Sequence, residues 1–163
     1  MTDYKNNYPN VIIHGFVGWG EDDEINKYFA HFGVFGSRRL FPYLRKEGYP
    51  VTVFEKEAKP GGMMMNGIPA FRLEKEVIKS EIDVIRELGV EFRCGVEVGK
   101  DVTIQGLRED GYKAFYLAIG AQGGSTLGLP NEDLPNIRTG VEYLMDVNAG
   151  KKTGVHGKTI VVG

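Results

Sequence analysis

The stretch VTVFEKEAKPGGMMMNGIPAFRLEKE, residues 51–76, decides the fold of this chain. It opens with alternating β-branched and aromatic residues, a pattern typical of a strand. Glu55 closes that strand, and ligands of open α/β sheets bind just beyond this end of the strands. Pro60, Gly61 and Gly62 follow, a turn whose glycines let the backbone approach another group closely. The stretch therefore predicts a strand, an acid facing a ligand, and a close-approach turn.

Strands and helices alternate on both sides of this stretch. An apolar strand is predicted at residues 10–14. A helix is predicted within residues 37–47; its first turn lies near Phe41, and Gly48 ends it. Its inward face is expected to carry Leu40, Tyr43 and Leu44. With the strand at 51–54 they form a βαβ unit, the opening of a dinucleotide-binding fold. The apolar run 114–119 is predicted to be a buried strand of the same parallel sheet.

The other predicted elements follow from periodicity and end signals. Residues 73–88 form an amphipathic helix whose apolar side holds Val77, Ile78, Ile82, Ile85 and Leu88. Further helices are predicted at 101–109 and at 139–150, the second with Thr139 and Glu142 as a capping box. Short strands are predicted at 90–93, 96–98 and 159–162.

Four short motifs in the central stretch indicate a known family: VFE at 53–55, PGG at 60–62, GIP at 67–69 and FRL at 71–73. Over residues 50–163 the chain resembles the FAD-binding domain of flavoprotein oxidoreductases of the glutamate synthase small-subunit and dihydropyrimidine dehydrogenase type. The resemblance implies an α/β, Rossmann-like fold for FAD or NAD(P), with three layers and a parallel sheet. It also implies that the chain stops at the start of a second nucleotide-binding domain.

The same resemblance implies a cofactor, a set of binding residues and partners. FAD would be bound by Glu55 at the ribose, by Val98 at the adenine ring, by Gly120 at the diphosphate, and by Gly62, Met63 and Arg72 along the dinucleotide. No catalytic residue and no metal ligand are implied. In the family NADPH reduces FAD, and electrons pass on to a glutamate synthase large subunit or an iron–sulfur domain. The NADPH site is expected to be absent from this chain.

Each of these residues also has a plainer interpretation. Glu55 can be a solvated acid at a strand end, in which case its replacement would hardly change folding. Met63 can be flexible core filler, and Arg72 can pair with a surface acid.

The first residues have a different resemblance. The motif HGFVGWG at 14–20 is similar to motifs near the start of bacterial triacylglycerol lipases of the α/β-hydrolase fold. This resemblance covers about residues 1–36 and at most extends to residue 49. A hydrolase of that fold needs a Gly-x-Ser-x-Gly elbow. Ser37, Ser80 and Ser125 all lack that context.

We therefore expect three parts: a lipase-like βα segment at 1–49, the remainder of the FAD-binding domain at 50–157, and the first strand of an NADPH-binding domain at 158–163. The chain is interpreted as chimeric, and a natural fusion, an assembly error and an engineered recombinant all fit this pattern. In place of the family's Gly-x-Gly-x-x-Gly loop, residues 15–20 carry the glycine spacing in reverse, and four acids follow at 21–24. Those acids would repel a diphosphate, so FAD binding is expected to be weak.

Composition narrows the functions further. The net charge of -2 argues against a nucleic-acid partner, and the lone Cys94 excludes an internal disulfide and an iron–sulfur cluster held by this chain. No segment is long and apolar enough for a membrane span, so the cytoplasm is the expected location. Three hypotheses stand: an FAD-binding fragment of an NADPH-dependent oxidoreductase, a lipase- or esterase-type hydrolase fragment, and a folded module without a cofactor.

Overall fold

The structure is a computed structural model, and it describes residues 40, 41 and 43–162 together with the backbone of residues 11–14. In this part of the chain the strands are β1 (Val11–His14), β2 (Val51–Glu55), β3 (Glu91–Cys94) and β4 (Ala114–Leu117). The helices are α1 (Gly62–Asn66), α2 (Lys75–Glu87), α3 (Ile104–Glu109) and α4 (Gly140–Asn148). Residues 40, 41 and 43–46 are also helical.

The four strands form one sheet in the order β3-β2-β1-β4, and every pair is parallel. Val11 is level with Val51 on one side and with Ala114 on the other. The prediction that the segment at 10–14 shares a parallel sheet with the strands near 51 and 114 is confirmed. Parallel neighbours require crossover connections, which is why helices separate the strands along the sequence.

Hydrophobic side chains cover both faces of the sheet. One cluster contains Phe41, Val51, Val53, Ile85 and Val90. The other contains Phe54, Leu107 and Tyr112. Since β2 alternates its side chains between the faces, the helical segment at 40–46 and α2 cover one face and α3 covers the other. The result is the three-layer α/β arrangement that was predicted.

Strand β2 is the centre of both clusters, and all five of its residues are buried. The buried hydroxyl of Thr52 has partners on two neighbours: it donates to Glu91 Oε2 at 3.1 Å and accepts from the Tyr112 hydroxyl at 3.3 Å. The Tyr112 ring meets the Phe54 ring edge to face, with 5.9 Å between centroids. These contacts hold the one polar side chain in the middle of the strand without an unpaired hydroxyl.

The predicted inward faces of two helices are wrong in part. In α2, Ile78, Ile82 and Ile85 are buried, but Val77 and Leu88 are 48% and 40% exposed. With about 100° of rotation per residue, the three isoleucines lie close to one line, whereas Val77 and Leu88 lie roughly 80–100° away from it.

The helical segment before β2 shows the same effect. Phe41 is the buried residue, and Tyr43 is 61% exposed. Tyr43 lies two positions after Phe41, which places it on the opposite side of the helix. Leu40 and Leu44 flank Phe41 and pack against the core as expected. The segment is already helical at Leu40, one residue before the predicted start.

Three predicted strands are also corrected. The apolar run 114–119 is a strand only to Leu117, and it is not buried: Leu117 is 69% exposed and Ile119 is 60% exposed. The reason is its position, since β4 lies at one of the two edges of the described sheet and pairs only with β1. Residues 96–98 contribute a single bridge between Val98 and Val102, and residues 159–162 contain no strand.

Helix ends follow the sequence signals closely. Thr139 and Glu142 form the predicted capping box, each side chain bonding the other residue's backbone N–H. At the end of the segment before β2, Gly48 has a φ of 87°, the left-handed conformation expected where a glycine ends a helix. Helix α3 begins at Ile104, later than the predicted residue 101, and the Thr103 side chain caps it by accepting from the Gly106 N–H. The predictions for residues 15–39, including the glycine loop and the acids, lie outside the described residues.

Candidate functional site

The carboxyl ends of parallel strands meet at one edge of a sheet, and this edge is where open α/β folds bind ligands. His14 at the end of β1 is level with Phe54 in β2 and with Leu117 in β4. Glu55 is the next residue along β2, and Gly120 lies three residues beyond Leu117. The structure thus places Glu55 and Gly120 at the same edge, on opposite sides of the end of β1.

Glu55 is buried there, with only 4% of its surface exposed. Its Oε1 accepts a hydrogen bond from the backbone N–H of Glu57 at 3.0 Å. The interpretation of Glu55 as a solvated acid at a strand end is therefore wrong. This backbone donor helps to fix the orientation of the carboxylate at the edge of the sheet.

Val98 belongs to a segment that runs beside Glu55. The backbone N–H of Val96 donates to Glu55 O, and that of Gly95 donates to Glu57 O, both at 3.1 Å. Val98 itself packs against the cluster around Phe54. The structure therefore brings together the segments of Glu55 and Val98, the two residues predicted to bind the adenosine half of a dinucleotide.

The double-glycine turn makes its close contact within the protein. Gly61 has a φ of 125°, and a Cβ built there would lie 3.0 Å from Met65 Cβ and 3.1 Å from Ile78 Cγ2. Gly62 is buried, has a φ of 54° and begins α1. Gly61 is thus needed for packing α1 against α2, a reason that the sequence did not reveal.

Met63 and Arg72 occupy less central positions. A Cβ at Gly67 would overlap the terminal Cε of Met63, so this side chain folds back over the turn that ends α1. Arg72 closes a turn through its backbone N–H, which donates to Pro69 O at 2.9 Å, and its side chain is exposed. Among the described residues, no contact joins the Arg72 guanidinium to Glu55, Val98 or Gly120.

The loop after Gly120 contains a residue that sequence reasoning missed. Gly120 has a φ of 66°, which favours glycine. Two residues further on, Gln122 has a buried side-chain Oε1 that has no hydrogen-bond partner in the described part of the structure. A buried polar atom of this kind calls for a donor. The amino-acid sequence of this polar loop contains no pattern that distinguishes Gln122 from an exposed glutamine.

A cleft of about 370 Å³ lies beside the same edge. Its lining comes from the turn after β2, from α1, and from α4 with its flanks: Glu57, Asn66, Arg138, Glu142, Met145, Asp146, Ala149 and Lys151. Arg138 and Lys151 both pair with Asp146, and these bonds hold the pKa of the Asp146 carboxyl below its usual value. The cleft wall is therefore charged, with three acids and two bases, and both bases pair with the same acid, Asp146.

Cys94 ends β3 level with Glu55 in β2. Burial raises the pKa of its thiol, which favours the neutral form of the group. Across the described residues, no group of three or more His, Cys, Asp or Glu side chains is placed to hold a metal ion. None of the described helices has the length and apolar character to span a bilayer.

These features define a class. The chain has a Rossmann-like α/β fold, with glycines and an acid at the carboxyl edge of the sheet. The fold is similar to that of FprA, a Mycobacterium tuberculosis oxidoreductase, with a TM-score of 0.64 and 23% identity over 88% of this chain and 29% of FprA. At that identity the likeness concerns the fold alone. No family model matches the chain.

Curated proteins give the more particular comparison. The chain is 36% identical over 121 residues to the NADP(+)-dependent formate dehydrogenase subunit beta of Moorella thermoacetica, which covers 73% of this chain and 17% of that protein. It is 40% identical over 101 residues, 62% of this chain, to the glutamate synthase [NADPH] small chain of Mycobacterium tuberculosis and to the NAD-dependent dihydropyrimidine dehydrogenase subunit PreT of Escherichia coli. It covers 20% and 24% of these two proteins.

The chain thus spans about a fifth of the length of the curated relatives it matches. Glutamate synthase and dihydropyrimidine dehydrogenase subunits are among them, so the predicted resemblance to oxidoreductases of this type is confirmed. The lipase-like resemblance of residues 1–36 stays a prediction.

Proposed function

We propose that the chain is the FAD-binding part of an NADPH-dependent oxidoreductase of the glutamate synthase small-subunit type. The observation that carries the proposal is the joint position of Glu55 and Gly120 on either side of the end of β1, at the carboxyl edge of a parallel sheet. This is the place where such sheets bind dinucleotides. The matches to subunits of NAD- and NADP-dependent oxidoreductases support the same class.

The residues of this edge fit an adenine dinucleotide in its adenosine half. The buried carboxylate of Glu55 would accept hydrogen bonds from the ribose hydroxyls, with its orientation fixed by the Glu57 N–H. Val98, half-buried beside it, would offer backbone and side-chain contact to the adenine ring.

The flavin half would lie between the Gly120 loop and the α1 turn. The positive φ of Gly120 gives a backbone without a side chain near the diphosphate, and the buried Gln122 Oε1 would accept a hydrogen bond from the cofactor. Gly62 and Met63 would border the flavin through α1, and Arg72 would reach the dinucleotide only by moving its exposed side chain. Bound FAD would supply the hydride and electron chemistry, while these residues bind and orient it.

The remaining assignments belong to the same proposal. Residues 1–49 would supply the first βα unit, residues 50–157 the rest of the FAD-binding domain, and residues 158–163 the start of an NADPH-binding domain. Electrons would pass from NADPH through FAD to a partner subunit, either a glutamate synthase large subunit or an iron–sulfur domain, in the cytoplasm. The acids at 21–24, next to the expected diphosphate position, would make FAD binding weak.

Reconstitution with FAD tests this proposal against its two rivals. We expect the purified chain, dialysed to equilibrium against FAD, to retain more flavin than the outer buffer and to show an absorption band that differs in shape from that of free FAD. A folded chain that retains no flavin would support the module without a cofactor. Hydrolysis of a short-chain ester that survives further purification would support the lipase-type rival.

A further inference from the structure

The short helix α1 ends in carbonyl groups that need partners from outside the helix. A helix leaves its last four carbonyl groups without intrahelical donors, so a five-residue helix satisfies almost none of them itself. Met63 O accepts from the backbone N–H groups of Gly67 and Ile68, at 2.7 and 2.9 Å. The carbonyls of Met64, Asn66 and Ile68 accept hydrogen bonds from side chains instead.

Two side chains from two other helices supply these donors. Lys75, the first residue of α2, donates from Nζ to Met64 O at 2.8 Å and also to Ile68 O. Asn148, the last residue of α4, donates from Nδ2 to Asn66 O at 2.7 Å and to Ile68 O at 3.3 Å. The carbonyl of Ile68 is therefore shared by both donors.

The placement of Lys75 differs from that of an ordinary surface lysine. All its described hydrogen bonds are part-buried, and burial lowers the pKa of its ammonium group. Lys79, four residues along the same helix, is exposed. Taking an ammonium group out of water costs free energy that the two carbonyl bonds must offset. Asn148 likewise joins the turn to a helix 80 residues away in sequence.

We propose that Lys75 and Asn148 are positioning residues that hold the 62–68 turn in the conformation that meets the flavin end of the cofactor. The inference rests on the proposed function, because Gly62 and Met63 belong to this turn. Neither donor would touch the cofactor. Lys75 fixes the turn from α2, Asn148 fixes it from α4, and the shared Ile68 carbonyl makes their effects dependent on each other.

The test uses Lys75→Met, Asn148→Leu and the double variant, each of which removes donors with little change of side-chain length. Lys79→Met is the matched control, a lysine removed from the exposed part of the same helix. Lys75→Arg is the conservative variant, since a guanidinium keeps several donors and a positive charge. The first measurement is amide hydrogen exchange of residues 63–68 in the FAD-free protein, and the second is FAD affinity with the absorption spectrum of the bound flavin.

We expect each single variant to speed exchange of residues 63–68 by about fivefold or more, to weaken FAD binding by a similar factor and to shift the flavin band, and Lys75→Arg to recover part of both. The double variant should change exchange by more than the product of the single factors, because only the double variant leaves Ile68 O without either donor. Exchange at 63–68 like that of Lys79→Met, or equal acceleration throughout the chain, would overturn the proposal. Faster exchange with unchanged FAD affinity and spectrum would also overturn it.

The outcomes of the two proposals can be distinguished. If the parent chain binds no FAD, the proposed function fails, and with it the claim that the 62–68 turn meets a cofactor. The exchange data then still decide whether Lys75 and Asn148 hold the turn.

Discussion

The Glu55 carboxylate accepts a hydrogen bond from the backbone N–H of Glu57, and the two residues form a turn at the carboxyl end of the central strand. The bond holds a buried acid at the edge where Val98 and Gly120 also lie. A substitution of Glu55 is therefore the most direct single-residue test of FAD binding.

Glu55→Gln should weaken FAD binding about tenfold or more, since charge-assisted hydrogen bonds contribute roughly 1.5–3 kcal/mol. Because glutamine keeps a side-chain oxygen for the Glu57 N–H, the free energy of unfolding should fall by no more than about 1 kcal/mol. Quenching of flavin fluorescence gives the affinity and urea unfolding gives the stability. Glu87→Gln, an exposed acid on α2, is the charge-matched control and should change neither quantity. Equal FAD affinity in the parent and in Glu55→Gln would remove the ribose assignment.

Gly61→Ala should destabilise the fold strongly. A side chain at φ 125° is strained, and its Cβ would also press on Met65 and Ile78, so we expect a loss of about 2–4 kcal/mol in the free energy of unfolding. Gly99→Ala separates the two causes, because Gly99 has a φ of 100° and open space around its Cβ position. Urea unfolding should show a loss for Gly99→Ala of only about 1–2 kcal/mol. Equal losses for both variants would mean that packing against α2 does not matter.

Glu91 provides a pH-dependent prediction. A hydrogen bond from Arg93 at 2.7 Å, supported by the Thr52 hydroxyl, keeps the pKa of the Glu91 carboxyl below its usual value. A lowered folded-state pKa adds stability above the unfolded-state pKa of about 4.3, and that stability is lost as the pH falls through the lower, folded-state value. Glu91→Gln should therefore be less stable than the parent at pH 7.

The stability gap between the parent and Glu91→Gln should narrow between about pH 5 and pH 3. Urea midpoints measured across that range check the prediction. A gap of constant size down to pH 3 would show that the charge of Glu91 contributes nothing. The gap should also shrink in high salt, because both side chains of the pair are about half exposed and the pair is screened.

The acids at positions 21–24 carry the prediction of weak FAD binding. Replacing Glu21, Asp22, Asp23 and Glu24 by their amides should strengthen FAD binding by about three- to tenfold, and more at low salt, where repulsion is less screened. Titrations at two salt concentrations test this. Neutralising Glu74, Glu76, Glu87 and Glu109 instead is the control, since it changes the net charge equally at exposed sites on or beside α2 and α3. The electrostatic account is wrong if both sets of substitutions strengthen binding equally.

The sequence predicted the α/β architecture and the parallel sheet because both follow from patterns of neighbouring residues along the chain. Apolar runs, glycine ends and the Thr139 capping box identified the elements, and the βαβ spacing identified the parallel sheet. Exposure within an element was harder to predict. Val77 is apolar and Tyr43 is aromatic, yet both side chains point away from the core. Only the rotation of each helix relative to the sheet decides this.

The candidate site could be predicted in position where a residue's place after a strand decides it, as for Glu55 and Gly120 at the carboxyl edge of the sheet; their roles toward FAD stay predictions. It was not predictable where the role depends on contacts distant in sequence. The bond from Asn148 to Asn66 spans 82 residues, and the packing of Gly61 against Ile78 requires two helices to meet. Burial of Glu55 and of Gln122 Oε1 likewise depends on what surrounds them in space.

Calorimetric titration of the purified, folded chain with FAD, followed by competition with adenosine and with riboflavin, tests the central claim most directly. The account predicts saturable binding near one FAD per chain, with adenosine competing more strongly than riboflavin, because Glu55 and Val98 preserve the adenosine half of the site. Absence of saturable binding, in a sample whose circular dichroism shows the α/β fold, would contradict the account.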